Sequence, residues 1–350
     1  MDEAKLEQFM GSVVGHMTGA AVCFQIWLGE RAGLWRAMAG AGPLTAAQLA
    51  AKAGTQPRLT EEWLKSNAAS GLVDHDVPAG TFTLSEEAAM ALAIDTSPVF
   101  VARGMDTIGS LYTDIDKITA AVSGDGKMAW GEHHHTLFSG TEWFFRTGYQ
   151  AFLTSTWIPA MDGVADVLSA GGTVADIGCG HGASAVVLAQ GFPGARVHGF
   201  DFHEPSIQIA EKRAAEAGVS DRTSFSVATA KSYTGSYDLI CFFDCLHDMG
   251  DPVGIAAYAR ERLAEGGSVL LVEPFALDGP ANITDNPMAA LLYMASASIC
   301  TPNSLSQEVG LGLGAQAGPE KLREVFTAAG FSQFEVVAQT PMNLIVQARV

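Results

Sequence analysis

The 350-residue chain is 48% hydrophobic and carries 38 acidic against 20 basic side chains, a formal net charge of −18. That length has room for two domains with a sizeable core, and the acidity argues against a nucleic-acid partner, whose phosphates it would repel. No run of about eighteen apolar residues escapes interruption by glycine, charge or histidine, so no membrane span is expected. The five cysteines, Cys23, Cys179, Cys241, Cys245 and Cys300, show neither zinc spacing nor a disulfide framework. No signal segment is expected at the start, and a reduced cytoplasm is the expected compartment.

The chain opens with an expected N-terminal unit over residues 1–95. A helix over Val13–Met38, rich in Ala, Gly, Phe, Ile, Leu and Trp, comes first. Thr45 caps a helix that ends at Gly54, and Pro57 starts a second that runs to Ala69. Leu72–His75 and Thr81–Leu84, joined through Pro78, Ala79 and Gly80, predict a small hairpin. Helix, turn, helix and hairpin form a winged helix, a topology shared with DNA-binding repressors. The second helix begins Arg58-Leu59-Thr60-Glu61-Glu62, however, and lacks the cationic face that phosphates require.

Residues 96–163 are too long for a linker and too aromatic for disorder, with Tyr112, Trp130, Phe138, Trp143, Phe144, Phe145, Tyr149 and Trp157. This segment is read as a helical connector. Glu132-His133-His134-His135 offers ligand chemistry, but adjacent side chains point in different directions and rarely converge on one ion, so no metal site is expected.

The most informative stretch is Val174-Ala175-Asp176-Ile177-Gly178-Cys179-Gly180-His181-Gly182-Ala183, which predicts a strand, a glycine-rich turn and a helix start. Glycines admit a sharp turn and a close ligand, and the helix from Ala183 to Gln190 points free amides into the same space. Asp201 closes the next apolar run some twenty residues on, where a carboxylate can accept from both ribose hydroxyls. The glycine spacing also fits a nicotinamide dinucleotide site. Asp176, two residues before the first glycine, favours S-adenosylmethionine instead, because a carboxylate there suits an ammonium and a sulfonium and suits a pyrophosphate poorly.

A helix over Pro205–Gly218, strands over Thr223–Val227, Tyr237–Asp244 and Ser268–Glu273, and a helix over Pro252–Ala264 with the turn Glu265–Gly267 follow. This alternation implies a doubly wound parallel sheet, an α/β fold. A helix over Pro319–Ala329 capped by Gly330 leads to two short strands, Phe334–Ala338 and Asn343–Ala348. With the motif around Asp176, this order resembles the class I S-adenosylmethionine-dependent methyltransferases. The resemblance implies a Rossmann-like seven-stranded sheet with an antiparallel edge hairpin over residues 164–350, interrupted by an insertion at 278–318. It implies cofactor contacts from Asp176, Gly178, Cys179, Gly180, Asp201, Phe202, Thr229, Ala230 and Asp244, and from Phe145 and Tyr149 in the connector. Thr229 stands where the family usually carries an acid beside the adenine. Many small-molecule members dimerise through a preceding winged helix, so a homodimer is expected, with S-adenosylhomocysteine as product and a connector that roofs the site.

Acceptor chemistry is expected past the fourth strand of this sheet, at Asp244-Cys245-Leu246-His247-Asp248-Met249. The His247-Asp248-Met249 segment resembles the His-Asp-Trp of plant-type O-methyltransferases, which implies His247 as general base; a structural role for His247 is the competing reading. Expected acceptor-lining residues are Trp143, Asp248, Glu273, Tyr293, Met294 and Asn303; the insertion, with Asn286, Met288, Tyr293, Met294, Cys300, Asn303 and Gln307, mixes soft apolar and amide groups with few charges and suits a small, moderately polar molecule. A hydroxyl or thiol acceptor would need a base, whereas a thioether would need none and would yield a sulfonium. A regulator that senses the cofactor and binds DNA through its winged helix, and a domain that has lost transfer activity, are the further alternatives.

Overall fold

The computed structural model describes all residues, 1–350. The chain divides into two compact units, one formed by residues 1–110 with 136–147 and the other by residues 111–135 with 148–350. The expected connector is therefore shared between the two.

In the first unit one long helix, Glu3–Arg31, starts ten residues earlier than the composition suggested and stops where Gly33 takes a left-handed conformation (φ 71°), after which Leu34–Met38 forms a separate short helix. By length and composition the long helix could cross a membrane, with a mean hydropathy of 1.3 in its most apolar window. That amends the expectation of no such segment: glycines and His16 interrupt the run, but no Asp, Glu, Lys or Arg stands between Glu7 and Glu30, so its mean hydropathy stays high. The helices Ala46–Ala53 and Pro57–Ala69 follow, the first with a complete capping box between Thr45 and Gln48. The wing is a hairpin of β1 (Asp74–Asp76) and β2 (Thr81–Thr83), with Asp74 opposite Thr83. Phe82 in β2 also bridges to Leu44, which ties the wing to the turn before the first capped helix.

Two indoles centre this unit. Trp35 is fully buried and donates through Nε1 to the Ile26 carbonyl at 2.9 Å; Trp63 meets it edge-on at 4.5 Å and donates to the Gln25 carbonyl at 2.9 Å. Both bonds fall on the long helix, so the indoles fasten it to the winged helix. Gly29 is required at this contact, because a Cβ there would lie 2.4 Å from the Trp35 ring nitrogen.

The second unit holds a seven-stranded sheet of β3 (Thr173–Ile177), β4 (Arg196–Asp201), β5 (Thr223–Val227), β6 (Tyr237–Phe243), β7 (Leu263–Pro274), β8 (Gln333–Gln339) and β9 (Asn343–Arg349). Their order is β5-β4-β3-β6-β7-β9-β8. The first five run parallel, and β9 is antiparallel to β7 and to β8, as the resemblance implied. Central strands are buried on both faces, which accounts for the unbroken apolar runs in β6 and β7. The expected turn at Glu265–Gly267 lies inside the bounds of β7: Leu263 pairs with Tyr237, the ladder resumes at Ser268 opposite Leu239, and the residues between loop out with Gly266 at φ 76°. Strand order reverses between β3 and β6, and in open parallel sheets the crevice at such a reversal receives the ligand.

Replacing Trp35 by alanine removes a fully buried indole and its hydrogen bond. We expect a loss of about 3–5 kcal/mol for the first unit, read as an earlier unfolding transition in calorimetry while the transition of the sheet unit holds its temperature.

Candidate active site

The turn after β3 takes the shape its glycines allow. Gly178, Gly180 and Gly182 all have positive φ, at 72°, 50° and 73°. The Gly178 and Cys179 amides donate to the Phe200 carbonyl at 2.8 and 3.1 Å, which folds the turn over the tip of β4. A Cβ on Gly182 would lie 2.8 Å from that of Ala210, whereas one on Gly180 would meet nothing within 4 Å. Gly182 thus lets the helix pack, and Gly180 leaves open space above the backbone.

Asp201 at the end of β4 binds this turn directly. Its Oδ2 accepts from the Gly180 amide at 2.9 Å and its Oδ1 from the His203 amide at 2.8 Å. Phe202 beside it is more than half exposed, the posture of a ring available for stacking. Thr229 and Ala230 lie past the tip of β5, where Thr229 forms a small turn with Ser232 through bonds of 2.9 Å from its amide and its hydroxyl. Asp176 is completely buried in β3; the Ser184 hydroxyl donates to its Oδ2 at 2.6 Å, and its Oδ1 has no hydrogen-bond partner. A buried carboxylate with an orphaned oxygen, two residues ahead of the glycine turn, fits the ammonium of an amino-acid-bearing nucleoside, so the residues present fit S-adenosylmethionine.

Asp244 follows β6 in a left-handed conformation (φ 50°), rare for a residue other than glycine and held by its partners. Its Oδ2 accepts from the Tyr149 hydroxyl at 3.2 Å and its Oδ1 from Asn343 Nδ2 at 2.7 Å. Tyr149 begins a π-helical segment, Tyr149–Trp157, and its ring packs on Phe243 and Trp157. Asn343 starts β9 and carried no sequence signal.

His247 sits in a short 3-10 turn, Leu246–Asp248, and is buried with Glu273 of β7. Its Nδ1–H donates to Glu273 Oε2, its backbone amide donates to Glu273 Oε1 at 3.2 Å, and its Nε2 lies 3.3 Å from Cys300 Sγ. Burial alone would lower the imidazole pKa, but the facing Glu273 carboxylate and the Cys300 sulfur outweigh it, and His247 titrates well above the ordinary histidine range. Asn303 ties this turn to the insertion: its Nδ2 donates to the Asp248 carbonyl at 3.1 Å and its Oδ1 accepts from the Trp130 amide at 3.0 Å.

The structure thus brings Asp176, Gly178, Cys179, Gly180, Asp201, Asp244, Tyr149, His247, Asp248, Glu273 and Asn303 to the C-terminal ends of β3, β4, β6 and β7 and the segments bonded to them. Trp143 and Phe145 belong to the other unit, where Trp143 lies between the guanidiniums of Arg103 and Arg146 and Phe145 packs edge-on against Phe144. Tyr293 accepts from Asn282 Nδ2 at 3.2 Å and lines an apolar groove of about 370 Å³ with Val122, Ser296, Pro302 and Leu305. Met294 is half-buried one residue on. Among the three adjacent histidines, His133 is buried beside Asp114, with Nδ1 at 3.5 Å from its Oδ2, and the rings of His134 and His135 lie 4.1 Å apart.

Burial raises four carboxyl pKa values here. Asp176 and Asp248 are each pushed up to about 7, chiefly by burial, with Ser184 opposing for Asp176 and His247 for Asp248. Asp201 and Asp244 move in the same direction for the same reason. A folded-state value above that of the unfolded chain means that the folded protein keeps a proton the unfolded chain releases, so stability falls as pH rises from about 4 toward about 7. Without cofactor, the unfolding temperature of the sheet unit should fall between pH 5 and 8. Asp176→Asn should flatten that fall, measured by calorimetry across the same range.

Residues 168–330 match the family model of a methyltransferase domain, and residues 20–94 match that of the Rv2258c-like winged HTH domain. The ubiquinone biosynthesis O-methyltransferase of Leptothrix cholodnii is 30% identical over 41% of this chain and 57% of its own length. The 2-methyl-6-phytyl-1,4-hydroquinone methyltransferase of Synechocystis is 30% identical over 56% and 59%. The chain thus spans less than two thirds of these curated relatives. Among solved structures, mitomycin 7-O-methyltransferase aligns over 100% of both chains with a TM-score of 0.70 at 18% identity, and human N-acetylserotonin methyltransferase, in complex with S-adenosylmethionine, over 98% and 97% with a TM-score of 0.69 at 21% identity. These structures share the fold. Sheet order, glycine turn and family match converge: the chain carries a class I methyltransferase domain behind an N-terminal winged helix-turn-helix domain.

Proposed function

We propose that this protein is an S-adenosylmethionine-dependent methyltransferase that modifies a small-molecule hydroxyl or thiol, with His247 as the general base. The observation that carries the reading is the buried Glu273–His247 pair, one turn past β6 and bonded to the insertion that follows β7. S-adenosylmethionine, when bound, supplies an electrophilic methyl group on a sulfonium. Asp201 is positioned to accept from the ribose hydroxyls, Phe202 to stack on the adenine, and Asp176 with Asp244 to face the cationic end. Asn343 and Tyr149 hold the Asp244 carboxylate against its strained backbone. Glu273 fixes the ring of His247 and stabilises the imidazolium that forms when it takes the acceptor's proton.

The curated relatives are named for O-methylation in ubiquinone biosynthesis and for methylation of a hydroquinone. A phenolic hydroxyl is therefore the acceptor class we favour. The exposed apolar stripe of the long N-terminal helix, with Phe9, Met10, Val14 and Met17 all about half exposed or more, supports a homodimer formed through that helix. Five free cysteines suit the reducing cytoplasm.

Titration calorimetry with S-adenosylmethionine should show binding that Asp201→Asn weakens by about tenfold or more, the order expected for losing a charged hydrogen-bond acceptor. Absence of binding to the unaltered chain would remove the assignment. For turnover, we expect His247→Gln to lose about 10²–10⁴-fold in kcat while cofactor affinity is kept. Because the base must be unprotonated and its pKa is raised, kcat/KM should rise with pH along a limb above the ordinary histidine range, and Glu273→Gln should move that limb toward acid. A panel of hydroquinone, catechol, benzenethiol and dimethyl sulfide, followed by mass spectrometry, separates acceptors that need a base from a thioether that does not. Light scattering should give a dimer mass that Phe9→Asp combined with Met17→Asp converts to monomer.

A further inference from the structure

We infer that Cys300 is a second proton carrier in this site, standing between the acceptor and His247. The inference rests on the base assignment proposed above and concerns a residue that the resemblance did not single out. Both ring nitrogens of His247 are already engaged, Nδ1 by Glu273 and Nε2 by the Cys300 sulfur at 3.3 Å. Histidine and cysteine are both buried. An acceptor proton therefore reaches the imidazole either through the sulfur or by driving it away.

Driving it away is opposed by the way Cys300 is held. It is the last residue of a second π-helical segment, Ser296–Cys300, a local geometry that re-aims side chains and concentrates at functional sites. The helix that continues from it, Thr301–Ser306, is bonded to the backbone of the His247 turn. Ser304 Oγ donates to the Met249 carbonyl at 2.9 Å, Asn303 Nδ2 and Gln307 Nε2 each donate to the Asp248 carbonyl at 3.1 Å, and Gln307 Oε1 accepts from the Gly250 amide at 3.0 Å. The Gly314 amide closes the loop on the His247 carbonyl at 3.1 Å. The sulfur and the ring belong to one tied assembly, so they keep their contact as the site works.

The step balances without an added reagent. As the acceptor's O–H bond breaks, the oxygen keeps the electron pair, which forms the new bond to the methyl carbon. Its proton goes to Cys300 Sγ while the thiol's own proton passes to His247 Nε2, so the thiol is regenerated and the imidazolium is left facing Glu273. The cofactor's methyl–sulfur bond breaks with its electron pair on that sulfur. A thiol can both give and take a proton at sulfur, and burial pushes the Cys300 thiol up, which keeps it in the protonated form that the step starts from.

The test uses the full chain with S-adenosylhomocysteine bound, and it has two readouts. In nuclear magnetic resonance titrations of the His247 ring, Cys300→Ala should shift the titration and Cys300→Ser should restore part of the shift. In turnover of hydroquinone, Cys300→Ala and the space-filling Cys300→Val should each lose about tenfold or more in kcat with little change in KM, and Cys300→Ser should recover most of it with a displaced pH limb. An unshifted ring titration in Cys300→Ala overturns the inference, as does a shifted titration with kcat and pH profile intact. If the unaltered protein methylates none of the panel acceptors, the relay falls together with the transferase reading. The ring titration then shows whether the contact itself was right.

Discussion

Five carboxylates meet at one edge of a parallel sheet, and no lysine or arginine pairs with any of them. Asp176 lies in β3, Asp201 ends β4, Asp244 and Asp248 follow β6, and Glu273 lies near the end of β7. Parallel strands end on the same side by construction, so side chains at their tips are collected whether or not they repel. Here burial raises the pKa of four of them, and the neighbouring carboxylates add to the rise at Asp176, Asp244 and Asp248. Inside the cluster His247 pairs with Glu273, and His203 faces Asp201. The rest of the site is arranged around that imbalance. A ligand with an ammonium and a sulfonium would relieve it, and a pyrophosphate would worsen it, a discrimination that the glycine turn cannot make.

Much of the fold could be read in the sequence because hydrophobic runs, glycines and caps are local signals. The strand–turn–helix at Asp176, the later strands, the edge hairpin and the winged helix all lie where the pattern placed them. Two readings differ from the structure in extent. Glu265–Gly267 is looped out as a turn, yet the bounds of β7 take it in because Leu263 ahead of it already pairs with Tyr237. The first helix begins at Glu3 rather than Val13, through a mixed polar and apolar stretch that no apolar composition marks. The site was readable where a motif supplied a spacing, at Asp176 and Asp201, and where a strand end supplied a place, at Asp244 and His247. Asn343 as a site residue and the contact of Cys300 with His247 are not legible, since each side chain reaches its partner, 99 and 53 positions away, only through the fold.

The two units differ in how they are held. The winged helix depends on a few large rings and on Glu30, buried and paired with both Arg36 and Arg103. The sheet depends on length, with five parallel strands whose core side chains, among them Ile177, Ile240, Phe242 and Leu271, are almost wholly buried. The first arrangement concentrates stability in single residues, and the second spreads it over many.

The two π-helical segments share a trait that bears on how the site can change over time. Tyr149 opens one and Cys300 closes the other, and each delivers its side chain to a residue that follows β6. A π turn differs from an α turn by one residue, and one residue is about 100° of helix rotation. Deleting a single position from either segment would relax it to α-helix and swing the flanking residues out of register with Asp244 or His247, with hardly any other part of the fold disturbed. A one-residue deletion there is thus a more abrupt change to the surroundings of Asp244 and His247 than a substitution.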